Sequence, residues 1–296
     1  MTTTQLLFIH ALSPLHAGTG QSIGAIDLAI ARDRATQFPY LPGSSLKGSL
    51  RDVAGLKLRK GSEPDKDLVK NLFGPDTANA SDHAGSLIVS DANLLFLPVR
   101  SVAGTFAWVT SPYLLHRFFR DAKAAQVTFT LPKLPSTVAD CMIGMNSSLW
   151  AQDKVVFEDL DLTPATDVSV DTFAGELGKR LFTEADWQEL FKQKLCIVHD
   201  DVMTFLSEHA TDVVARIALE DDTKTVKQGQ LWYEESLPTE SVLVSLVSAQ
   251  SIGKQYLTPA AVMSHAATLM KDSIQLGGKA TVGRGRCRLE LAGATP

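Results

Sequence analysis

Apolar residues along this chain recur with two periods, and each period predicts a type of regular element. Alternating or β-branched runs predict strands at residues 6–11, 86–92, 105–109, 127–131, 242–247 and 287–291. Apolar residues three and four apart predict helices that begin at Ser44 or span residues 113–125 and 259–273. Because these elements intermix without a regular βαβ repeat, we expect an α+β fold with a sheet layered on helices, such as the ferredoxin-like arrangement.

The middle third of the chain departs from this pattern. Residues 133–235 contain scattered helical segments near 184–194 and 202–209, followed by a polar, hairpin-like piece, RIALEDDTKTVKQGQLWYEE. The last predicted strands lie after these segments. We therefore interpret the segments as insertions on one core that spans residues 1–296, and not as a second domain.

Composition favours a cytoplasmic globular protein. The chain has 296 residues and 45% of them are hydrophobic, which is ample for a buried core. Its three cysteines, Cys141, Cys196 and Cys287, are far apart and odd in number, so we expect reduced thiols and no disulfide framework. No basic leader precedes the first apolar run, and no apolar run reaches the roughly 18 residues of a spanning helix. We expect neither secretion nor membrane insertion.

The distribution of charge changes the picture that the net charge gives. A net charge of -5 argues mildly against a nucleic-acid binder. However, residues 43–60 carry five basic residues and one acid, and residues 277–288 carry four basic residues and no acid, so each segment sums to +4. This asymmetry permits a basic groove on an acidic protein, although ordinary solvated faces would give the same pattern.

The first candidate motif is LHAGTGQSIGAIDLAI, in which Gly18, Gly20 and Gly24 precede Asp27. The glycine spacing is one residue too long for a dinucleotide-binding turn and no helical stripe follows, so a turn that approaches a polymer phosphate fits better. Asp27 is either a solvated carboxylate or a group that holds a divalent cation against RNA. His16 is a candidate general acid or base, with a structural role as the alternative.

Two further motifs combine glycine with cations. In FPYLPGSSLKGSLRD, Pro42 and Gly43 predict a turn, Ser44 is expected to cap a helix, and Lys47 and Arg51 share one face near its N-terminus, which favours binding of a phosphodiester. The alternative is a capped surface helix with two solvated cations. IQLGGKATVGRGRCRLEL places four glycines and four cations in a basic loop that leads into a strand.

Together these motifs, with NLFGP, GSLIVSDA, VRSVAGTFAWVTSPYLLHRF and GQLWYEESLPTE, resemble the repeated backbone subunit of type III-B CRISPR (Cmr) effector complexes, a group within the RAMP superfamily. The resemblance runs in order from about residue 15 to residue 291. It implies a ferredoxin-like, RRM-like palm with inserted finger regions, here the helical residues 133–210, and a protruding thumb β-hairpin, here residues 213–238. It also implies copies that stack head to tail along a CRISPR RNA with other type III-B subunits.

The same resemblance assigns roles to individual residues. The catalytic aspartate of the family corresponds to Asp27, which would hold Mg²⁺ or Mn²⁺, and the nearby histidine corresponds to His16; Tyr233 and Glu234 at the thumb base are expected to assist. The implied RNA-binding residues are Gly18, Gly20, Ser44, Ser45, Lys47, Arg51, Gly277, Gly278, Lys279, Gly283, Arg284, Gly285 and Arg286.

The implied reaction is cleavage of a guide-paired, single-stranded target RNA. The 2'-hydroxyl of the target would attack the adjacent phosphate and leave a cyclic phosphate and a free 5'-hydroxyl. Two alternatives remain: a non-catalytic scaffold that binds CRISPR RNA, and a nuclease that trims the CRISPR precursor as a monomer. The presence of Asp27 favours the target-cutting enzyme.

Overall fold

The computed structural model describes residues 2–20, 22, 26–75, 83–252 and 257–293. Within these ranges the helices are α1 Gly43–Lys57, α2 Lys66–Phe73, α3 Pro112–Ala124, α4 Val168–Leu181, α5 Ala185–Lys194, α6 Asp200–His209 and α7 Pro259–Met270. The strands are β1 Thr3–Ala11, β2 Tyr40–Leu41, β3 Arg59–Lys60, β4 Glu63–Pro64, β5 Leu87–Val89, β6 Ala92–Arg100, β7 Phe106–Thr110, β8 Asp140–Ile143, β9 Val155–Phe157, β10 Leu160–Thr166, β11 Leu195–Val198, β12 Asp212–Leu219, β13 Val226–Ser236, β14 Val242–Ala249, β15 Ile274–Gln275 and β16 Arg286–Ala292. None of the described helices is both long and apolar enough to cross a membrane.

Most strands join one mixed sheet of twelve strands. Ten follow the order β15, β16, β1, β14, β6, β7, β11, β8, β10, β9, while β2 pairs with β6 and β5 pairs with β14. β1 is antiparallel to both of its neighbours, whereas β11 runs parallel to β7 and β10 runs parallel to β8. The expected α+β character is therefore confirmed in its coarse form, a large mixed sheet combined with helices.

The strand β1 is buried on both faces, which explains its unbroken apolar run from Leu6 to Ile9. Leu7 and Ile9 belong to a hydrophobic cluster that also contains side chains of α1 and α7. Leu6 and Phe8 belong to a second cluster, which contains side chains of α3, α4 and α5. Since successive side chains of a strand point to opposite faces, helices cover the sheet on both sides of β1.

The strands β12 and β13 form a separate antiparallel hairpin. Val213, Ile217, Leu231 and Tyr233 share one face of it and are between 40% and 53% exposed. Residues 234–236, at the end of β13, are buried instead. Because a two-stranded hairpin alone is marginally stable in water, this hairpin depends for a fixed position on its base (residues 212–214 and 234–236), where residues 234–236 are buried.

The structure corrects two expectations about secondary structure. Residues 127–131 form no strand; Val127 and Phe129 instead pack into the second cluster beside α3, so their apolar character reflects packing and not pairing. Residues 133–210 contain the expected helices, α4 to α6, but also the strands β8 to β11, which extend the main sheet. Short apolar runs such as β8 and β11 cannot be distinguished from buried helix by periodicity alone.

Candidate active site at the base of the hairpin

Asp27 lies beside the hairpin base with its carboxylate exposed. The backbone N–H of Tyr233 donates to Asp27 Oδ2 at 2.8 Å. On either side of this contact, Leu28 N–H donates to the Tyr233 carbonyl at 3.0 Å and Glu235 N–H donates to the Leu28 carbonyl at 3.0 Å. Asp27 therefore sits on a short segment (residues 26–32, here the Asp27 segment) that lies parallel to the end of β13.

Glu234 is buried next to this point and is surrounded by cations. Its Oε1 accepts hydrogen bonds from Lys279 Nζ and from the indole N–H of Trp232, both at 2.8 Å. Arg216 Nε lies 3.5 Å from Oε2. Burial raises the pKa of Glu234, but these hydrogen bonds and the charges of Lys279 and Arg216 outweigh burial and lower the pKa to about 2. Glu234 is therefore ionised at neutral pH, which does not suit a general acid.

His16 is buried and connects three parts of the site. Its Nδ1 lies 2.7 Å from the Glu235 carbonyl, which can only accept, so Nδ1 carries the proton of this hydrogen bond. The His16 carbonyl accepts the N–H of Gly278 at 2.9 Å. A Cβ at Gly18 would lie 2.6 Å from His16 Nε2, so a larger residue there would force the His16 ring to shift. These contacts support the structural role for His16 that the sequence left open.

The glycine-rich loop (residues 277–286) docks on the chain just before His16. Gly285 N–H donates to the Pro14 carbonyl at 2.8 Å. Gly285 has φ +75°, and a Cβ on it would lie 2.0 Å from the Leu276 carbonyl oxygen. Arg284 is buried, and its guanidinium donates to Ser236 Oγ at 2.5 Å. Lys279 and Arg284 thus attach the loop to the hairpin base, while Arg286, like Gly278 and Gly283, is exposed.

The N-cap of helix α1 lies two residues before the expected Ser44. Its N-cap residue is Pro42, and Ser44 makes no capping hydrogen bond. The N–H of Gly43 donates to Asp91 Oδ1 at 2.7 Å, so an aspartate from the turn before β6 supplies the cap. Ser44 and Ser45 are exposed in the first turn.

Lys47 and Arg51 lie on one face of α1, as expected. Burial lowers the pKa of Lys47, and the neighbouring charge of Arg51 lowers it further. Arg51 donates to the Pro75 carbonyl at 3.0 Å. Lys47 forms no ion pair with any residue that the structure describes. Helix α1 contacts β15, the strand that leads into the glycine-rich loop.

The structure thus brings two of the three candidate motifs together at the hairpin base and connects the third through β15. Residues 21 and 23–25, including Gly24 of the first motif, lie outside the described residues; Gly20 is exposed with φ +72°. Sequence reasoning missed Arg32 and Glu235, whose ion pair joins the end of the Asp27 segment to β13. The available signal was the acid pair in WYEES, since two carboxylates in a partly apolar strand need partners when they are buried.

A bound metal ion would find few protein ligands here. Among the described residues, no group of three or more His, Cys, Asp or Glu side chains is placed to hold one. Asp27 Oδ1 accepts no hydrogen bond from that part of the chain, so one carboxylate oxygen is available. Mg²⁺ often binds through one or two carboxylates together with substrate phosphates. The residues present therefore fit a cation that RNA and Asp27 hold jointly, and do not fit an all-protein cage.

Comparison with known proteins identifies the family of the chain. The sequence profile of the RAMP superfamily matches residues 8–288. The chain belongs to the RAMP superfamily. This RAMP protein is 34% identical to the CRISPR system Cmr endoribonuclease Cmr4 of Pyrococcus furiosus, over 98% of the chain and 96% of the relative. It is 23% identical to the CRISPR system CMR subunit Cmr4 of Saccharolobus solfataricus, over 96% and 95% respectively. The type III-B resemblance inferred from the motifs is therefore confirmed.

Solved structures agree with this RAMP assignment. The crystal structure of oligomeric Cmr4 from Pyrococcus furiosus superposes with a TM-score of 0.73 and 26% identity, over 99% of this chain and all of the other. A chain in the cryo-EM structure of the type III-B Cmr-beta complex bound to cognate target RNA superposes with a TM-score of 0.74 over 97% and 96%. Its identity is 20%, so this second match supports the fold alone.

Proposed function

We propose that this RAMP protein is the repeated backbone subunit of a type III-B CRISPR ribonucleoprotein, in which it binds CRISPR RNA and cuts the paired target RNA at regular intervals. Full-length similarity to a Cmr endoribonuclease supports this function. Its fold is that of Cmr4 chains, one of them from an oligomer. Stacked copies, the CRISPR RNA, the target RNA and the other type III-B subunits are its partners in this proposal.

The placement of Asp27 carries the catalytic part of the proposal. An exposed carboxylate is fixed by a backbone hydrogen bond at the hairpin base, and its other oxygen accepts no hydrogen bond from the described residues. A scaffold without catalytic function has no need of such a group. The enzyme is therefore favoured over the scaffold, and similarity to an oligomeric relative speaks against a processing nuclease that acts as a monomer.

In this proposal the chain's own residues position the RNA for attack by its own 2'-hydroxyl. Asp27 would hold Mg²⁺ or Mn²⁺ together with a target phosphate, and the bound ion would stabilise negative charge that develops on that phosphate. The exposed apolar face of the hairpin would disturb the guide–target pairing next to the cut. Freed from the duplex, the target backbone can reach the in-line geometry, and positioning of this kind contributes several kcal/mol, up to about 7–11 in favourable cases.

The finer architecture of the family follows the same assignment. We assign the palm to the central strands β16, β1, β14 and β6 with helices on their faces, the fingers to the inserted elements from β8 to α6, and the thumb to the hairpin of β12 and β13. Lys47, Arg51, Arg286 and the exposed glycines would contact the sugar-phosphate backbone. Sequence specificity would then come from guide pairing, and the protein would read backbone and shape.

The decisive experiment replaces Asp27 in a reconstituted complex. Asp27→Asn should leave target binding intact and abolish the cuts, because the amide keeps the shape but carries no charge. Asp186→Asn is the matched control, since Asp186 is exposed on α5, away from the hairpin. Cuts by the Asp27→Asn complex at the rate of the Asp186→Asn control would leave a non-catalytic subunit as the better description.

A further inference from the structure

Arg32, the last residue of the Asp27 segment, forms an ion pair with Glu235 near the end of β13. Arg32 follows Asp27 by five residues, and its guanidinium lies 2.5 Å from Glu235 Oε1. The side chains are 11% and 2% exposed, so neither is available to RNA. The other end of the guanidinium donates to the carbonyls of Gln37 at 2.9 Å and Ser207 at 3.0 Å. A planar, multiply bonded guanidinium of this kind has a single preferred orientation.

The carboxylate of Glu235 is fully engaged by the surrounding chain. Its Oε1 also accepts the hydroxyl of Thr211 at 2.9 Å, at the start of the hairpin. Its Oε2 accepts the backbone N–H of Ile30 at 3.1 Å. The backbone N–H of Glu235 itself donates to the Leu28 carbonyl. One buried acid therefore joins the Asp27 segment, helix α6 through Arg32, and both strands of the hairpin.

On the opposite edge, backbone hydrogen bonds join the Asp27 segment to residues 17–19. Thr19 N–H donates to the Ala29 carbonyl at 3.1 Å and Ala31 N–H donates to the Ala17 carbonyl at 2.8 Å. On the side of β13, the buried ion pair is a side-chain contact that fixes how the segment lies against the strand. Removing Arg32 would leave a buried carboxylate without its cation, and the segment would have to move to admit water.

We propose that Arg32 and Glu235 are positioning residues for the cleavage reaction: their buried ion pair holds Asp27 in register with the hairpin base. This inference rests on the proposed function, since it assumes that Asp27 takes part in cutting. The distance between a catalytic group and the scissile phosphate controls the rate steeply, and a displacement of about 1 Å can lower a rate roughly a hundredfold. In the proposed function other residues bind the RNA, so loss of the ion pair should lower the cleavage rate and not the affinity for RNA.

The test measures the single-turnover cleavage rate at saturating target RNA, together with target affinity, in reconstituted complexes. Arg32→Gln should lower the rate about tenfold, within the range that misplacement can produce, and change the affinity less than about twofold. Arg32→Lys keeps the positive charge but loses the planar guanidinium with its several donors. Its cleavage rate should lie between those of wild type and Arg32→Gln. Arg34→Gln is the matched control, because Arg34 is exposed in the adjacent turn, and it should behave as wild type.

The double variant Arg32→Gln with Glu235→Gln sharpens the test. It removes both charges, so no carboxylate is left buried and unpaired, and part of the rate lost in Arg32→Gln should return. If Arg32→Gln does not assemble, Thr211→Val removes one hydrogen bond to Glu235 and keeps the ion pair. The cleavage rate should then fall about threefold, which corresponds to the loss of one neutral hydrogen bond.

Two results overturn the inference: a wild-type rate in the variant that assembles, or a fall in rate matched by an equal fall in affinity. The Asp27→Asn complex separates this failure from failure of the proposed function. If Asp27→Asn still cuts, the proposed function itself fails. If Asp27→Asn is inactive while Arg32→Gln cuts at full rate, only the positioning role is lost.

Discussion

The main sheet and the hairpin use the same type of element in opposite environments. β1 is covered by helices on both faces, and Leu6, Leu7 and Ile9 are fully buried. The hairpin exposes Ile217 and Leu231, which face each other across β12 and β13, and only residues 234–236 of its two strands are buried. The sheet is thus held by apolar packing, whereas the hairpin is held at one end by hydrogen bonds and ion pairs.

The difference places the candidate active site at the boundary between the two regions. Glu234 and Glu235 are adjacent in β13, so their side chains point to opposite faces of the strand. Glu234 forms an ion pair with Lys279 of the glycine-rich loop, and Glu235 forms one with Arg32 of the Asp27 segment. A projecting hairpin can therefore remain exposed for contact with RNA while Asp27 beside it is held in place.

The largest expected effect concerns the packing of the sheet. Phe8→Ala removes a ring that is 1% exposed in the second cluster, and it should lower the free energy of unfolding by about 3–5 kcal/mol. Ile217→Ala, on the exposed hairpin face, should change it by less than about 0.5 kcal/mol. Urea unfolding of the isolated protein measures both. Similar losses in the two variants would mean that the hairpin is packed in solution and that the contrast between the regions is false.

The second expected effect concerns the loop that attaches to the hairpin base. Gly285→Ala adds a Cβ at 2.0 Å from the Leu276 carbonyl oxygen, in a residue with φ +75°. Gly283→Ala is the matched control, because its φ is +79° but no atom lies within 4 Å of the added Cβ. We expect a loss of about 1 kcal/mol for Gly283→Ala from backbone strain and of about 3 kcal/mol for Gly285→Ala, where a steric clash is added.

Thermal unfolding of the two glycine variants gives the comparison directly. Equal losses would show that the loop moves away from Leu276 without penalty, and the loop would then not be a fixed part of the hairpin base.

The packed regions were the more predictable ones. Strands such as β1, β14 and β16 could be predicted because most of their buried positions are apolar. Asp27 and the glycine-rich loop were also predicted as parts of the site, the first through a resemblance and the second through its glycines; both lie at the hairpin base. The ion pairs of Arg32 and Glu235 were not, because a charge pattern does not reveal which cation meets which acid across about 200 positions of chain. The expected cap by Ser44 was wrong, because Pro42 is the N-cap residue and Asp91, remote in sequence, accepts the N–H of Gly43.

The third expected effect uses pH to distinguish the hairpin base, which is held by charges, from the main sheet, which is held by apolar packing. The pKa of Glu234 is about 2 in the folded chain against 4.5 ordinarily. A lowered pKa stabilises the fold fully above about pH 4.5, and this contribution is lost as the pH falls toward 2. Relative to Glu234→Gln, wild type should therefore be more stable by roughly 2 kcal/mol at pH 6, and the difference should shrink between pH 5 and 3. The loss in Phe8→Ala should not change over the same interval.

Unfolding free energies of the three proteins at several pH values decide this point. A difference between wild type and Glu234→Gln that stays constant with pH would mean that Lys279 and Arg216 do not hold the carboxylate in its ionised form.

The smallest expected effect tests whether helix α1, which packs on the main sheet, contributes to RNA binding independently of the hairpin. Lys47→Ala with Arg51→Ala removes two cations from one helix face and should weaken RNA binding, with the salt dependence flattened by about one unit of slope per lost phosphate contact. Lys66→Ala with Lys70→Ala is a matched control on α2, where two cations are also four residues apart and exposed. Affinity measured from low to moderate salt gives the slopes. An unchanged slope in the α1 variant would mean that Lys47 and Arg51 are ordinary solvated surface cations. RNA binding would then have to come from the glycine-rich loop and the exposed hairpin.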